Sequence, residues 1–353
     1  MLGSLTDGSI GSLPPHKYAR QVTSTPRTAF VTGGSGFIGA ALIERLVAGG
    51  CEVTALARSD ASGAAVEALG ARPARGDLSD VGAMTEAAKG CEAAFHLAAH
   101  VEQWGDYADF VAGNVDGTRN ALDACRAAGV RRFVHCGTEA AILAGEPVVN
   151  GDETVPLRPD SPAPYSATKA RAEQLVRDAS TGEFEAVVLR PRFVWGPGDT
   201  TLLPSIAEAT RQGKFAWIAG GANHTSTTHV DNVVEGLLLA AEKGRPGEAY
   251  FVLDDGDVEF REFISALLRT QDVEPPSRSI PAPVAALIAR GGELAWRFLP
   301  LKGEPPLTRF ALWVASQECT LDDSKARAEL GYEPVISREE GLAGLKRGER
   351  AAA

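Results

Sequence analysis

Tyr165 and Lys169 are the two side chains whose types and spacing point most directly to chemistry. On a helix, residues four positions apart face the same way, so this spacing would place a phenol beside an ammonium. A tyrosine titrates at about pH 10, and a neighbouring positive charge is expected to lower that pKa by favouring the phenolate. Such a phenol can protonate a carbonyl oxygen or take a proton from an alcohol, which is general acid and base chemistry.

A third group should fix the reacting oxygen by a hydrogen bond. We expect it at the carboxyl end of a strand, because open α/β sheets bind ligands there. Thr138 follows the apolar run that ends near His135 and is our choice, although a threonine there could also satisfy only the local backbone. Asn114, on the preceding predicted helix, could hold a water or a backbone group that relays protons to Lys169.

A glycine loop near the start of the sequence indicates what these groups act with. Gly33, Gly36 and Gly39 follow a short apolar run and open a helical pattern that begins with Phe37 and Ile38. Glycines at this spacing let the backbone turn tightly and approach a pyrophosphate, and the helix N-terminus adds a positive dipole. The pattern predicts a dinucleotide site, and the alternative is a glycine-rich turn without a ligand.

The end of the second predicted strand bears on which dinucleotide binds. No carboxylate stands there to hold a free ribose 2′-hydroxyl, whereas Arg58 could pair with a 2′-phosphate, so NADP is favoured over NAD. An exposed loop arginine used otherwise would give the same sequence. Asp77, beyond the third strand, could accept from the adenine amino group or could cap a helix.

The elements that must position these residues alternate along the sequence. Helical segments separate five apolar runs of strand type: 29–31, 53–56, 93–97, 132–135 and 186–189. This alternation predicts an α/β fold with a Rossmann-type, doubly wound parallel sheet and a smaller C-terminal substrate-capping lobe. The predicted division is a disordered extension (1–26), a dinucleotide-binding domain (27–195), a mainly substrate-binding lobe interleaved with the last strands (196–347) and a loose tail (348–353).

Composition excludes several other classes. The net charge of −11 and the pI of about 5.2 argue against nucleic acid as a partner. Five scattered cysteines without paired spacing suggest neither a metal site nor a disulfide framework and fit a cytoplasmic location. Residues 282–301 are mostly apolar, but three charged side chains interrupt them, which predicts an amphipathic helix over a pocket rather than a membrane span.

Taken together, these motifs resemble those of the extended short-chain dehydrogenase/reductase superfamily, which includes the NAD-dependent epimerases and dehydratases. The resemblance covers roughly residues 28 to 340 and includes the glycine loop, Asp77, the segment 96–99, Asn114, Thr138, the Tyr165/Lys169 pair and the segment 190–191. It implies hydride transfer to or from a nicotinamide, with Tyr165 as acid or base, Lys169 on the nicotinamide ribose, and Thr138 in place of the more common serine. The cofactor contacts it implies are Gly33, Gly36, Phe37, Ile38, Gly39, Arg58, Asp77, Leu78, Leu97, Ala98, Ala99, Tyr165, Lys169 and Pro191.

Three further segments, 192–199, 229–234 and 305–310, resemble the 3β-hydroxysteroid dehydrogenase group. This implies an apolar secondary alcohol or ketone as substrate, of the hydroxysteroid or 3-oxo type. Trp104, Phe193, Trp195 and Trp217 are the expected substrate contacts, and the alternative is that such rings form the core of the smaller lobe. A homodimer is possible.

Two alternatives stay open. The first is a nucleotide-sugar epimerase or dehydratase of the same superfamily. Sugar dehydratases have a glutamate two residues after the threonine, whereas this chain has Ala140 there, which disfavours elimination of water. Epimerases have an arginine four residues before the histidine that corresponds to His229, whereas this chain has Thr225 there, so a nucleotide substrate would lack that clamp. The second alternative is a non-catalytic dinucleotide sensor or scaffold. It is disfavoured because Tyr165 and Lys169 are both present.

Overall fold

The computed structural model describes residues 25–346. The sequence-predicted extension over residues 1–26 falls almost entirely outside this range, and the predicted tail over residues 348–353 falls wholly outside it. The strands are β1 (Thr28–Thr32), β2 (Glu52–Ala57), β3 (Arg72–Arg75), β4 (Ala93–His96), β5 (Arg132–Cys136), β6 (Val148–Gly151), β7 (Glu185–Pro191), β8 (Val194–Trp195), β9 (Trp217–Ile218), β10 (His224–Thr225), β11 (Thr228–His229), β12 (Ala249–Val252), β13 (Val258–Glu259), β14 (Ser279–Ile280) and β15 (Cys319–Leu321).

Helices alternate with these strands. The α-helices are α1 (Phe37–Ala48), α2 (Asp60–Ala68), α3 (Val81–Ala88), α4 (Tyr107–Phe110), α5 (Gly117–Ala127), α6 (Pro164–Asp178), α7 (Leu202–Arg211), α8 (Val230–Lys243), α9 (Phe260–Thr270), α10 (Ala282–Phe298), α11 (Arg309–Ser316), α12 (Ser324–Leu330) and α13 (Arg338–Lys346). A π-helix, Val111–Asp116, joins α4 to α5, and a 3₁₀ helix, Glu139–Ile142, follows β5.

The main sheet has seven parallel strands in the order β12-β7-β5-β4-β1-β2-β3. The inner strands β1, β4 and β7 are mostly apolar runs buried on both faces, as parallel sheets require, whereas the edge strand β3 is polar and largely exposed. One apolar cluster, including Leu42 and Leu237, fills one face, and another, including Leu122 and Val176, fills the other. The expected doubly wound α/β fold is therefore confirmed.

The strand order reverses between β1 and β4, because the chain runs outward from β1 through β2 and β3 before returning to β4. The register pairs Thr32 with His96, His96 with His135, and Cys136 with Leu189. These carboxyl ends therefore form one edge, where the crevice of an open α/β sheet binds ligands. Every candidate catalytic side chain comes from this edge or from the helices beside it.

The rest of the chain forms a smaller set of short sheets and helices, although β12 belongs to the main sheet. Within it, α10 packs its inner face, including Ala285 and Ala289, with Leu312 and Trp313 of α11. The outer face of α10 leaves large apolar side chains exposed, among them Leu287 at 73%. Over residues 25–346, no helix combines the length and the apolar character needed to cross a bilayer.

Candidate active site

The glycine loop packs so tightly that it admits no side chains at two of its positions. Gly33 has a φ of 74°, and a Cβ added there would lie 2.6 Å from the backbone nitrogen of Ala98. A Cβ on Gly39 would lie 2.1 Å from the carbonyl oxygen of Gly33. Gly36 precedes α1 and offers no side-chain cap, so the first N–H groups of that helix point out of the loop without a side-chain acceptor from the cap. This cradle fits a pyrophosphate.

The segment after β4 closes the cradle from the side. The backbone nitrogen of Leu97 donates to the carbonyl of Thr32 over 3.1 Å, and that of Ala98 donates to the Thr32 hydroxyl over 3.4 Å. Leu97, Ala98 and Ala99 are all half-buried. The structure therefore places Leu97 and Ala98 beside Gly33, and Ala99 follows them in the chain; the cofactor contacts of all three stay a prediction.

Arg58 and Asp77 lie near one another beyond β2 and β3. Arg58 is exposed, directly after β2. Asp77 accepts hydrogen bonds from the Ser79 hydroxyl over 2.6 Å and from the Ser79 backbone nitrogen over 2.8 Å. These bonds lower the pKa of Asp77, and the charge of Arg58 adds to the effect. Asp77 thus closes a local turn, and its role toward adenine stays a prediction.

Two predicted cofactor residues have mainly structural contacts. The carbonyl of Leu78 accepts from Asn120, and its side chain packs so closely on Gly117 that a Cβ there would lie 2.7 Å away. Pro191 ends β7 and is buried opposite Val252 of β12.

Tyr165 is the second residue of α6, which begins with Pro164 at its first position. The phenol is half-buried, and the Phe310 ring meets it edge to face at 5.5 Å. Burial, and then the negative charge of Glu139, raise the pKa of Tyr165 well above its ordinary value. The Thr138 hydroxyl acts in the opposite direction and lowers that pKa. The expected lowering by Lys169 is therefore wrong for the protein alone.

The position of Lys169 explains this correction. Its ammonium donates to the carbonyl of Cys136 over 3.2 Å and lies 3.4 Å from the Nε2 atom of His135. Lys169 is 3% exposed, and burial lowers its pKa. Tyr165 and Lys169 share a face of α6, but the lysine head turns to the end of β5.

Asn114 lies in the π-helix and is buried. Its amide nitrogen donates to the carbonyl of His100 over 3.0 Å and to the Thr168 hydroxyl over 3.1 Å, and its oxygen accepts from the His100 backbone over 2.7 Å. Asn114 thus holds a backbone group, which is one of the two roles expected from the sequence, the other being to hold a water. Its part in a proton relay to Lys169 stays a prediction.

Thr138 caps the 3₁₀ helix that follows β5, accepting from the backbone nitrogen of Ala140 over 3.2 Å. Its hydroxyl donates to Glu139 Oε2 over 2.7 Å. The other carboxylate oxygen of Glu139 accepts from Arg192 over 2.7 Å, and Arg192 is fully buried. Sequence reasoning assigned no role to Glu139 or Arg192, because they are far apart in the chain. The one local signal was a carboxylate directly after Thr138.

A buried histidine pair lies below the edge. The ring nitrogens of His96 contact the Thr32 hydroxyl at 2.7 Å and the Thr118 hydroxyl at 3.0 Å. Burial lowers the pKa of His96 to about 3, and the ring stacks on His135 at 5.3 Å. Within residues 25–346, no group of three or more His, Cys, Asp and Glu side chains is arranged to hold a metal ion.

The four expected substrate contacts divide into two pairs. Trp195 and Trp217 are each 1% exposed, and their indole nitrogens donate to Asp254 and to the carbonyl of Pro276. Both rings belong to the apolar core of the smaller lobe, which is the alternative stated above. Each indole N–H has a hydrogen-bond acceptor in that core, as a buried tryptophan requires. Trp104 and Phe193 keep exposed surface, and Phe193 has a φ of 43°.

Comparison with known proteins gives one consistent picture. The model of the 3-beta hydroxysteroid dehydrogenase/isomerase family matches residues 30–282. A 4-hydroxy-2-methyl-3-oxo-4-farnesyl-3,4-dihydroquinoline-1-oxide ketoreductase of Stigmatella aurantiaca is 44% identical over 90% of this chain and 95% of its own. A 2-alkyl-3-oxoalkanoate reductase of Stenotrophomonas maltophilia is 40% identical over 90% and 97%. Among solved structures, the dTDP-glucose 4,6-dehydratase DesIV from Streptomyces venezuelae, with NAD and TYD bound, is 26% identical with a TM-score of 0.72, covering 92% of this chain and 97% of its own.

Proposed function

The chain belongs to the 3-beta hydroxysteroid dehydrogenase/isomerase family, an oxidoreductase family, and we propose that it reduces an apolar 3-oxo compound to a secondary alcohol with NADP(H). The relatives support the coarser statement, that the enzyme carries out NAD(P)-dependent oxidoreduction on a 3-oxo or hydroxy substrate. The reaction direction, the apolar substrate and the residue roles below are our proposal.

One observation carries this proposal. Thr138, just after β5, and Tyr165, in the first turn of α6, both lie at the sheet edge that carries the glycine cradle. The cofactor, when bound, supplies the hydride. Tyr165 then supplies the proton to the carbonyl oxygen, because a tyrosine is in the acid form at neutral pH and burial raises its pKa further.

The cofactor choice rests on Arg58. Its guanidinium is exposed directly after β2, where a phosphate on the adenosine ribose could be bound by two parallel hydrogen bonds. The structural relative DesIV carries NAD, so NAD stays the alternative. Lys169 would bind the nicotinamide ribose after turning from the carbonyl of Cys136.

The substrate class rests on the surroundings of Tyr165 and on the relatives. Phe310 lies against the phenol, and the half-buried Phe193 and Trp104 are the apolar contacts that we assign to the substrate. The names of the two reductases described above specify a farnesyl-bearing 3-oxo compound and a 2-alkyl-3-oxoalkanoate as their substrates. A nucleotide sugar is the competing class, because sugar-converting enzymes share the fold.

The decisive experiment compares Tyr165→Phe with Tyr107→Phe, a matched loss of a hydroxyl from an exposed tyrosine on α4. With a 2-alkyl-3-oxo ester as probe, we expect Tyr165→Phe to lower kcat by about a hundredfold or more while the Kd for NADPH stays unchanged. Tyr107→Phe should match the parent enzyme. Unchanged turnover by Tyr165→Phe would refute the assigned role, and turnover confined to nucleotide sugars would refute the substrate class.

A further inference from the structure

The exposed apolar surface of the protein is concentrated on one helix and the turn that follows it. Over residues 25–346, seven of the ten exposed large apolar side chains lie between positions 284 and 301. On α10 their spacing of three or four residues places them on one side of the helix. The seven are Val284, Leu287, Ile288, Leu294, Phe298, Leu299 and Leu301. Exposed apolar side chains that occur singly are common, but a contiguous group of this kind marks a contact surface.

The opposite side of α10 already has its partner inside the molecule. Ala285 and Ala289 are fully buried in a cluster with Leu312 and Trp313 of α11. The outward side carries the larger groups, with Leu287 exposed to 73%. An ordinary surface helix has its large apolar residues toward the core and polar residues toward water. The exposed side of α10 is therefore a second apolar face, in addition to the one that packs on the core.

The charges beside this face are positive, although the whole chain carries a net charge of −11. Residues 282–303 contain three cations, Arg290, Arg297 and Lys302, and all three are exposed. The one carboxylate in this segment, Glu293, is paired with Arg309 of α11. Arg290 and Arg297 are seven positions apart, so they lie on the same flank of the helix, two turns from each other.

We propose that the exposed side of α10, with Arg290 and Arg297 on its flank, is the surface by which the protein lies on a lipid bilayer that contains anionic headgroups. A helix of this kind buries its large apolar side chains at the boundary between headgroups and acyl chains. The long arginine side chains reach the phosphates at the same level. A second copy of the chain fits the same face less well, because its α10 would offer these cations only the carboxylate of Glu293, which is already paired.

The first test measures vesicle binding by the full chain. Vesicles of phosphatidylcholine, with and without phosphatidylglycerol, are sedimented with the protein. We expect binding that is stronger with phosphatidylglycerol and that weakens with added salt, because salt screens exposed charges. Leu287→Gln/Leu294→Gln should lower the partition coefficient by about tenfold or more, and Arg290→Gln/Arg297→Gln should remove the preference for phosphatidylglycerol. Absence of binding to both vesicles, or equal binding by the leucine variant, overturns the proposal.

Two controls separate this surface from general stickiness and from self-association. Val101→Gln/Val149→Gln removes two exposed apolar side chains outside the α10 face and should bind vesicles as the parent does. All substituted positions are exposed, so thermal unfolding should show parent-like midpoints. If the face instead holds a second copy, light scattering will show a parent dimer that Leu287→Gln/Leu294→Gln splits, with no vesicle binding by the parent. That result also overturns the proposal.

The second test rests on the proposed function. α10 packs on α11, and the Phe310 ring of α11 lies 5.5 Å from the ring of Tyr165, so the bilayer would lie one helix away from the proposed active site. For a long-chain 2-alkyl-3-oxo ester held in vesicles, Leu287→Gln/Leu294→Gln should raise KM by about tenfold. For a short-chain, water-soluble ester, KM and kcat should stay unchanged. Vesicle binding without turnover of either ester would refute the proposed function alone, and turnover of both esters without vesicle binding would refute the membrane surface alone.

Discussion

Replacing Gly39 by alanine should have two opposite effects, because alanine favours the helix but its Cβ cannot fit in the glycine loop. Gly39 is the third residue of α1, where an alanine should stabilise the helix by about 0.5–1 kcal/mol. Its Cβ, however, would lie 2.1 Å from the carbonyl oxygen of Gly33, whereas ordinary contact begins at 3.4 Å. The loop would have to move by about 1.3 Å, since the other close atoms, in Gly33 and Gly34, are also backbone. We expect at least a tenfold rise in the Kd for NADP(H), about 1.4 kcal/mol.

The matched control is Gly291→Ala. Gly291 lies inside α10, and an added Cβ there meets nothing within 4 Å. The same replacement should then raise the thermal midpoint and leave cofactor affinity unchanged. The Kd is measured by quenching of intrinsic fluorescence and the stability by thermal unfolding. A Gly39→Ala variant that binds both dinucleotides as tightly as the parent enzyme would refute the assignment of the glycine loop as the cofactor site.

Three further predictions follow from contacts at other sites. Arg58→Ala should raise the Kd for NADPH by about tenfold or more and leave that for NADH unchanged, measured by the same quenching titration; an equal change for both would contradict the phosphate role. Glu173→Ala should cost about 3–5 kcal/mol of unfolding free energy in urea, because Arg190 would stay buried and unpaired, and the double variant Glu173→Leu/Arg190→Met should recover most of it. Burial lowers the pKa of His96 from 6.5 to about 3 in the folded protein, so between these pH values the unfolded chain binds one more proton than the folded chain. The free energy of unfolding should therefore decrease by about 1.4 kcal/mol per pH unit as the pH falls from about 6.5 toward 3. His96→Asn should flatten that slope in denaturation series at several pH values, and an equally steep slope would contradict the assignment.

The sequence was sufficient for the fold because its signals are local. Gly33 and Gly39 are demanded by the path of one loop, and the strand runs are apolar because both faces of a parallel sheet are covered. The pair Tyr165 and Lys169 could be placed on one helix face from spacing alone. These features depend on a few neighbouring residues, so no tertiary information was needed.

The charges around the phenol could not be predicted in this way. Spacing put Lys169 beside Tyr165, but the ammonium turns to the carbonyl of Cys136, so the direction of the pKa shift came out opposite to expectation. Likewise Trp195 and Trp217 carry no sequence signal that distinguishes a pocket wall from a core. Which way a side chain turns depends on the partners that distant segments bring to it.

By itself, then, the sequence determined the parallel sheet, the glycine cradle and the residues of the acid and base pair, because each is encoded in a short stretch of chain. Only the tertiary structure decided what surrounds the phenol. Arg192 follows β7 and Glu139 follows β5, 53 positions earlier, and they meet because the two strands are neighbours in the sheet. Glu139 contributes to the raised pKa of Tyr165 from that position, since Coulomb interactions depend on distance in space and not on separation along the chain.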